Sequence, residues 1–138
     1  MVTYNKFQGF VGYLGLAEIN LNTDTINGYL TNNAPSATAD DVYADLAQLG
    51  TGSGYTGPQD STNTYSEASG TGTLVCVDWS VTATGAVGPF RYVVHYDDTP
   101  TGTPADPLMC WHDYGSAVTM ASGESFTCDY GASLLTIS

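Results

Sequence analysis

Short runs of apolar residues, separated by Gly, Thr, Ser and Asn, recur along the whole chain. This spacing is typical of strands joined by turns. Residues 24–32 (DTINGYLTN) alternate between two faces, with Ile26 and Leu30 on the same face. Residues 90–98 (FRYVVHYDD) are apolar on both faces in their middle, so they predict a central strand. Further strands are predicted at 73–81, 107–113, 117–120, 125–130 and 134–138, with an edge strand near 63–69.

The segments between these runs are long and polar. Residues 49–72 are rich in Gly, Ser and Thr, and residues 97–107 contain three of the six prolines. Residues 39–50 (ADDVYADLAQLG) begin with acids and carry apolar residues at helical spacing, which predicts a short helix or a helical turn. The sequence ASGE at 121–124 predicts a hairpin between the two strands that flank it.

Together these patterns predict an all-β fold, an antiparallel β-sandwich that is jelly-roll-like, with one short helix and long Gly/Ser/Thr-rich loops. A chain of 138 residues suffices for one such domain, spanning residues 1–138, with a single sizeable core. Residues 1–12 fit either an N-terminal arm that packs on a neighbouring subunit or the first strand of the domain.

The charge of the chain excludes several classes of partner. Its 14 acidic residues face only two basic ones, Lys6 and Arg91, for a net charge of −12. Binding to nucleic acid or to anionic lipid depends on clustered Lys and Arg, so we expect neither DNA, RNA nor a membrane as a partner. The start MVTYNKFQGF lacks the apolar run of a signal peptide, which favours the cytosol as the place of synthesis.

One stretch combines residues that serve as catalytic groups in other proteins, namely Cys110, His112 and Asp113. A reactive thiolate needs nearby cations or a helix N-terminus, and the chain offers two cations in total. No loop that would form an oxyanion hole follows the cysteine. We therefore predict a non-enzymatic protein that holds no cofactor.

Metal binding is also weakly supported by the sequence. The potential zinc ligands form no CxxC or HxxxH pair. Ligands from separate strands could still meet at one zinc ion, and this possibility stays open beside the alternative that these residues pack in the core. These residues are Cys76, Cys110, Cys128, His95 and His112. Several aspartates lie at loops, where bonds from the side chain to the backbone explain them better than Ca²⁺ does. They are Asp40, Asp41, Asp97, Asp98, Asp106 and Asp113. The cysteines are expected to be packing residues, either as free thiols or with Cys110 and Cys128 as a cross-strand pair.

Arg91 is the only guanidinium of the chain and lies at the start of the predicted central strand. A single Arg among many acids is expected to form a bidentate pair with an Asp or Glu. The alternative is an exposed Arg at the end of a strand, and both interpretations stay open.

Three segments resemble small structural proteins of tailed bacteriophages. They are YNKFQGFVGYLGLAEINLNTDTINGYLTNNAP, GTGSGYTGPQDS and GPFRYVVHYDDTPTGTPADPLMCWHDYGSAVTMASGESFTCDYGASLLTIS, which are spread over nearly the whole length of the chain. The TDTINGYL strand, the WHDYG segment and the GESFTCDYG segment carry the similarity. The family is that of capsid decoration proteins, also called cement or head auxiliary proteins.

This resemblance implies a protein that is assembled in the host cytoplasm and binds the outer capsid surface of the virion. It implies a β-rich homo-oligomer, with a trimer expected, and the major capsid protein as partner. Contacts are expected at Tyr4, Phe7 and Phe10 of the arm and at Arg91. A trimer would concentrate three charges of −12, so salt or divalent cations are expected to stabilise it.

Two alternatives remain from the sequence. A phage tail or fibre component shares the same resemblance. A carbohydrate-binding β-sandwich module would need exposed aromatic rings, from Trp79, Trp111 or tyrosines, to stack on sugars.

Overall fold

The computed structural model describes residues 2–138, which form ten strands and one α-helix. The helix α1 spans Gln8–Gly15. The strands are β1 (Thr3–Lys6), β2 (Ile26–Thr31), β3 (Gln59–Asp60), β4 (Thr64–Ala68), β5 (Thr71–Val75), β6 (Trp79–Thr82), β7 (Val87–Asp97), β8 (Leu108–Met120), β9 (Ser125–Cys128) and β10 (Leu135–Ile137).

The strands form three antiparallel sheets. The largest sheet has five strands in the order β1-β8-β7-β2-β3, and the two smaller sheets have the orders β10-β5-β4 and β6-β9. The prediction of an all-β, antiparallel sandwich with one short helix is confirmed. Strand β1 occupies one edge of the largest sheet, so residues 3–6 form the first strand of the domain.

Both faces of the five-stranded sheet are buried at its central strands β2 and β7. Leu30 and Val93 pair across β2 and β7 and point towards the two smaller sheets, where they join the main core. Tyr29 and Val94, the next pair along the same strands, point to the opposite face. Because neighbouring residues of a strand face opposite sides, this double burial explains why the middle of the segment 90–98 is apolar on both faces.

The second face of this sheet is covered by a loop. Leu46 is buried there, and Tyr43 packs with its ring centroid 4.7 Å from that of Tyr96. This covering loop contains the segment 39–50, which forms only one 3₁₀ turn, Tyr43–Asp45. The helical turn predicted there is present, but the α-helix of the protein is elsewhere.

Helix α1 was not predicted, because its sequence carries no helix signal. The segment QGFVGYLG contains three glycines, has no side-chain cap and has no acid in its first turn. Tertiary contacts hold it instead: Phe10 is buried in the main core, and the Tyr13 hydroxyl donates to Asp41. Among residues 2–138, no helix is long and apolar enough to cross a membrane.

The predicted hairpin at 117–130 is wrong. Strand β8 runs unbroken to Met120 and pairs with β7 and β1, whereas β9 pairs with β6 in another sheet. The turn between β8 and β9 is held at the end of β6, since Gly123 donates its N–H to the Ala83 carbonyl at 2.7 Å. The chain therefore crosses from one layer of the sandwich to the other at this turn.

Candidate functional site

The three residues that suggest catalysis do not converge. Cys110 and His112 lie on one face of β8, where they pair with Lys6 and Tyr4 of β1. Asp113 is bound instead by Arg91 on the surface. Burial raises the pKa of the Cys110 thiol above its ordinary value, so this thiol stays protonated at neutral pH.

The other two cysteines and both histidines also have pKa values shifted in favour of their neutral forms. All three cysteines are buried free thiols, and burial raises the pKa of Cys128 to about 11 and that of Cys76 to about 12. Burial holds the pKa of His95 well below its usual range and also lowers that of His112. Within residues 2–138, no three or more His, Cys, Asp or Glu side chains are placed to share a metal ion.

A hydrogen-bond network connects the core of the sandwich at Tyr130. Its hydroxyl accepts the indole N–H of Trp79 at 2.8 Å and lies 2.8 Å from Nε2 of His95. All three side chains are buried, and they come from β6, β7 and the segment after β9. The network ties the two-stranded sheet to the five-stranded sheet and is structural.

Both Asp-Tyr-Gly copies make the same hydrogen bond from Gly to Asp, although the first copy lies within strand β8 and the second follows strand β9. The carboxylate of Asp113 accepts the N–H of Gly115 at 2.8 Å, and that of Asp129 accepts the N–H of Gly131 at 2.8 Å. Gly115 has a φ of 96° and Gly131 a φ of 60°, which is the left-handed region that favours glycine. The two copies therefore share a local hydrogen-bonding motif.

Arg91 forms the expected bidentate pair. Its Nε donates to Oδ1 of Asp113 at 2.8 Å, and its Nη2 donates to Oδ2 at 2.9 Å. The hydrogen bonds to Arg91 hold the pKa of Asp113 below its ordinary value. The pair is intrachain and reaches the surface beside Thr3, the register partner of Asp113.

The four proposed contact residues differ in their accessibility. Phe7 and Phe10 are buried within the fold, where Phe7 packs against Trp111 and Phe10 joins the main core. Neither side chain is offered to a partner in this conformation. Tyr4 is exposed on the edge strand β1, and Arg91 is partly exposed in its ion pair.

Both tryptophans are buried, with 8% of each side chain accessible. Trp79 takes part in the Tyr130 network, and Trp111 packs on Phe7. Neither presents a ring face to solvent, so neither supplies the stacking platform that a sugar-binding module would need.

The most distinctive surface feature is a strip of exposed apolar side chains, which we name the apolar belt. Eight large hydrophobic side chains are exposed among residues 2–138, and six of them form this belt. The belt consists of Val2, Tyr4, Val11, Leu16, Tyr114 and Ile137. Exposed apolar residues scattered singly need no explanation, whereas a contiguous patch marks an interaction site.

Three depressions connect five of the belt residues, and the sixth, Leu16, lies in the sequence between two residues that line one of them. Tyr4, Val11 and Ile137 line a groove of about 350 Å³ between β1, α1 and β10. Ile137 also lines a second groove of about 460 Å³, whose wall includes the two chain neighbours of Leu16. In the other direction the Tyr4 ring lies 5.5 Å from the ring of His112, which lines a cavity together with Val2 and Tyr114.

The belt is nearly free of acidic groups although the chain has 14 acids. In the part of the chain that the structure describes, Asp129 is the one Asp or Glu that lines any of these three depressions. Lys6 lines the groove beside Tyr4, and residues 1–17 contain no acid. The surface is therefore apolar and weakly charged at the belt and strongly acidic elsewhere.

Comparisons with protein-family models, with curated proteins and with solved structures find no match. The function is therefore argued from the belt and from the chemistry of the core. Tyr4 is the one belt residue among the contacts that we expected from the sequence, and the other five belt residues were not among them. The one signal in the sequence was the absence of acids from residues 1–17.

Proposed function

We propose that this protein is a non-enzymatic structural component of a tailed-phage virion that binds the outer capsid surface as a decoration protein. The observation that carries the proposal is the apolar belt on an acidic β-sandwich whose core thiols are protonated. The belt docks on the major capsid protein, and the acidic remainder of the surface faces solvent.

Association through the belt stabilises the shell by adding buried apolar area between neighbouring capsid subunits. Each Å² of apolar surface removed from water contributes about 25 cal/mol before the costs of association. Many copies on one rigid shell act together, so modest individual contacts add up to a large resistance of the head to heat. Oligomerisation as a trimer would place three belts on the shell at once.

Localisation is the first test of this proposal. The protein is to be located by cryo-electron microscopy on virions of the phage that encodes it. Density on the outer face of the head supports the proposal. Density confined to the tail or fibres would replace it with the alternative of a tail component.

A charge introduced into the belt is expected to abolish docking. Val11 is 54% exposed within the belt, and Val77 is 58% exposed outside it, so the two valines form a matched pair. Val11→Asp is expected to weaken binding to empty heads at least about tenfold, because a buried unpaired carboxylate costs more than about 1.4 kcal/mol. The measurement is co-sedimentation of the protein with heads over a range of concentrations.

Val77→Asp is the control and is expected to bind heads as the wild type does. Val77→Asp changes the net charge of the protein by the same amount as Val11→Asp. A loss of binding caused by net charge alone would therefore appear in both variants. Equal losses in the two variants, or no loss in Val11→Asp, would contradict docking through the belt.

A further inference from the structure

The cavity at one end of the apolar belt is large enough for a single side chain. Its volume is about 140 Å³. Val93, Cys128 and Tyr130, all buried, form its floor, and Val2 and Tyr114 stand exposed at its rim. It lies where β8 and β9 belong to different sheets, so no backbone ladder closes the gap between them.

The size of the cavity restricts its occupant. Pockets for cofactors and drug-sized ligands measure roughly 300–1,000 Å³, which is well above this volume. An apolar cavity of about 150 Å³ holds one benzene molecule. The cavity therefore accepts one ring or one branched aliphatic group.

The walls of the cavity favour a ring. Tyr114, Phe126, Tyr130 and His112 all line it, and the rings of Tyr114 and Phe126 lie 6.2 Å apart at an angle of 70°. Aromatic rings prefer such edge-to-face arrangements, which contribute about 0.5–1.5 kcal/mol per pair beyond area burial. A guest ring would be surrounded by partners of this kind.

We propose that this cavity binds one aromatic side chain, Phe or Tyr, presented by the protein on which the belt docks. The inference rests on the proposed docking function and names the anchoring contact of that same surface. Continuity supports a partner's side chain as the occupant, since Val2 and Tyr114 belong both to the cavity rim and to the belt. Aromatic side chains that fill desolvated pockets are among the residues that contribute most to the binding energy of interfaces.

Toluene and phenol, the side-chain analogues of Phe and Tyr, test the cavity without any partner. Titration of the wild-type protein is expected to give saturable shifts of the amide resonances of Val93 and Cys128. Cys128→Leu, which fills the floor of the cavity, is expected to weaken this binding at least about tenfold. Thr82→Leu, on the paired strand β6 and outside the cavity lining, is the control and is expected to bind as the wild type does.

The absence of saturable shifts in the wild type would overturn the proposal, and this arm does not depend on the folding of any variant. Equal affinity of Cys128→Leu and the wild type for both probes would also overturn it. Tighter binding of phenol than of toluene would assign the guest as Tyr, and the reverse order would assign it as Phe.

Binding to empty heads separates this inference from the proposed function. Cys128→Leu is expected to bind heads at least about tenfold more weakly than Thr82→Leu. If Val11→Asp fails to bind while Cys128→Leu binds normally, the belt docks without an anchor in the cavity and the inference is wrong. If the wild type itself does not bind heads, the proposed function fails, and the probe titration still decides whether the cavity takes a ring.

Discussion

Replacing Tyr130 with phenylalanine is expected to lower the free energy of unfolding by about 2–6 kcal/mol, since each of two buried polar groups left without a partner costs about 1–3 kcal/mol. The substitution removes the acceptor of the Trp79 indole N–H and the partner of His95 Nε2, and both groups remain buried. The ring itself is kept, so the loss is confined to hydrogen bonds. Urea denaturation at neutral pH, followed by tryptophan fluorescence, measures the effect.

Tyr114→Phe is the control for this prediction. Tyr114 is 45% exposed, so its hydroxyl can bond to water in the folded and unfolded states alike. The expected change in the free energy of unfolding is within about 0.5 kcal/mol. Similar losses in the two variants would show that the network at Tyr130 contributes no more to stability than a surface hydroxyl.

Replacing Asp97 with asparagine is expected to stabilise the protein at pH 8. Asp97 is fully buried, its Oδ2 has no donor among residues 2–138, and Oδ1 accepts only the N–H of Thr99 at 3.0 Å. Burial, together with the neighbouring Asp24, raises the pKa of Asp97 from its ordinary value of 3.8 to about 7. Asparagine keeps the bond from Thr99 and can donate to the Asp24 carboxylate.

The direction of the pH dependence follows from proton binding. Between pH 3.8 and 7 the folded protein retains a proton on Asp97 that the unfolded chain has released, so the Asp97 contribution to stability falls as the pH rises. The stability of Asp97→Asn relative to wild type is therefore expected to rise across this window and then level off. The gain at pH 8 is expected to be roughly 1–3 kcal/mol.

The quantity to measure is the difference in the free energy of unfolding between Asp97→Asn and the wild type. Burial lowers the pKa of His95 and His112, so both histidines destabilise the fold as the pH falls below about 6.5, opposite to Asp97. Their contributions are common to wild type and variant and cancel in the difference. Chemical denaturation of both proteins at a series of pH values measures this difference. A difference that does not change with pH would contradict the assigned protonation of Asp97.

Several strands could be predicted because they carry their own pattern of apolar residues, but the strand predicted at 73–81 is divided between β5 and β6, and those predicted at 107–113 and 117–120 are one strand, β8. Residues 24–32 and 90–98 form β2 and β7, and the segment near 63–69 forms the edge strand β4, as predicted. The pairing of strands is a property of distant contacts and was harder to infer. The β8–β9 connection looks like a hairpin in sequence, yet the bonds between Ala83 and the turn direct β9 to a different sheet.

The apolar belt could not be predicted from the sequence, for a physical reason. The sequence does not show whether an apolar residue such as Phe10 or Val11 is buried or exposed, because that depends on how the helix packs against the rest of the protein. The arm predicted at residues 1–12 contains both kinds: Phe7 and Phe10 are in the core, and Tyr4 and Val11 are on the surface. The chemistry of the cysteines was predictable, because a chain with two cations cannot readily stabilise thiolates.

The coexistence of the belt with a net charge of −12 sets the colloidal behaviour of the free protein. In dilute buffer the long-range repulsion between copies outweighs the short-range attraction between belts, so the second virial coefficient is expected to be positive. Salt shortens the Debye length to about 10 Å at 0.1 M and about 3 Å at 1 M, while apolar attraction persists. Light scattering is therefore expected to show the coefficient falling through zero as salt is added, which makes ionic strength the control over premature self-association.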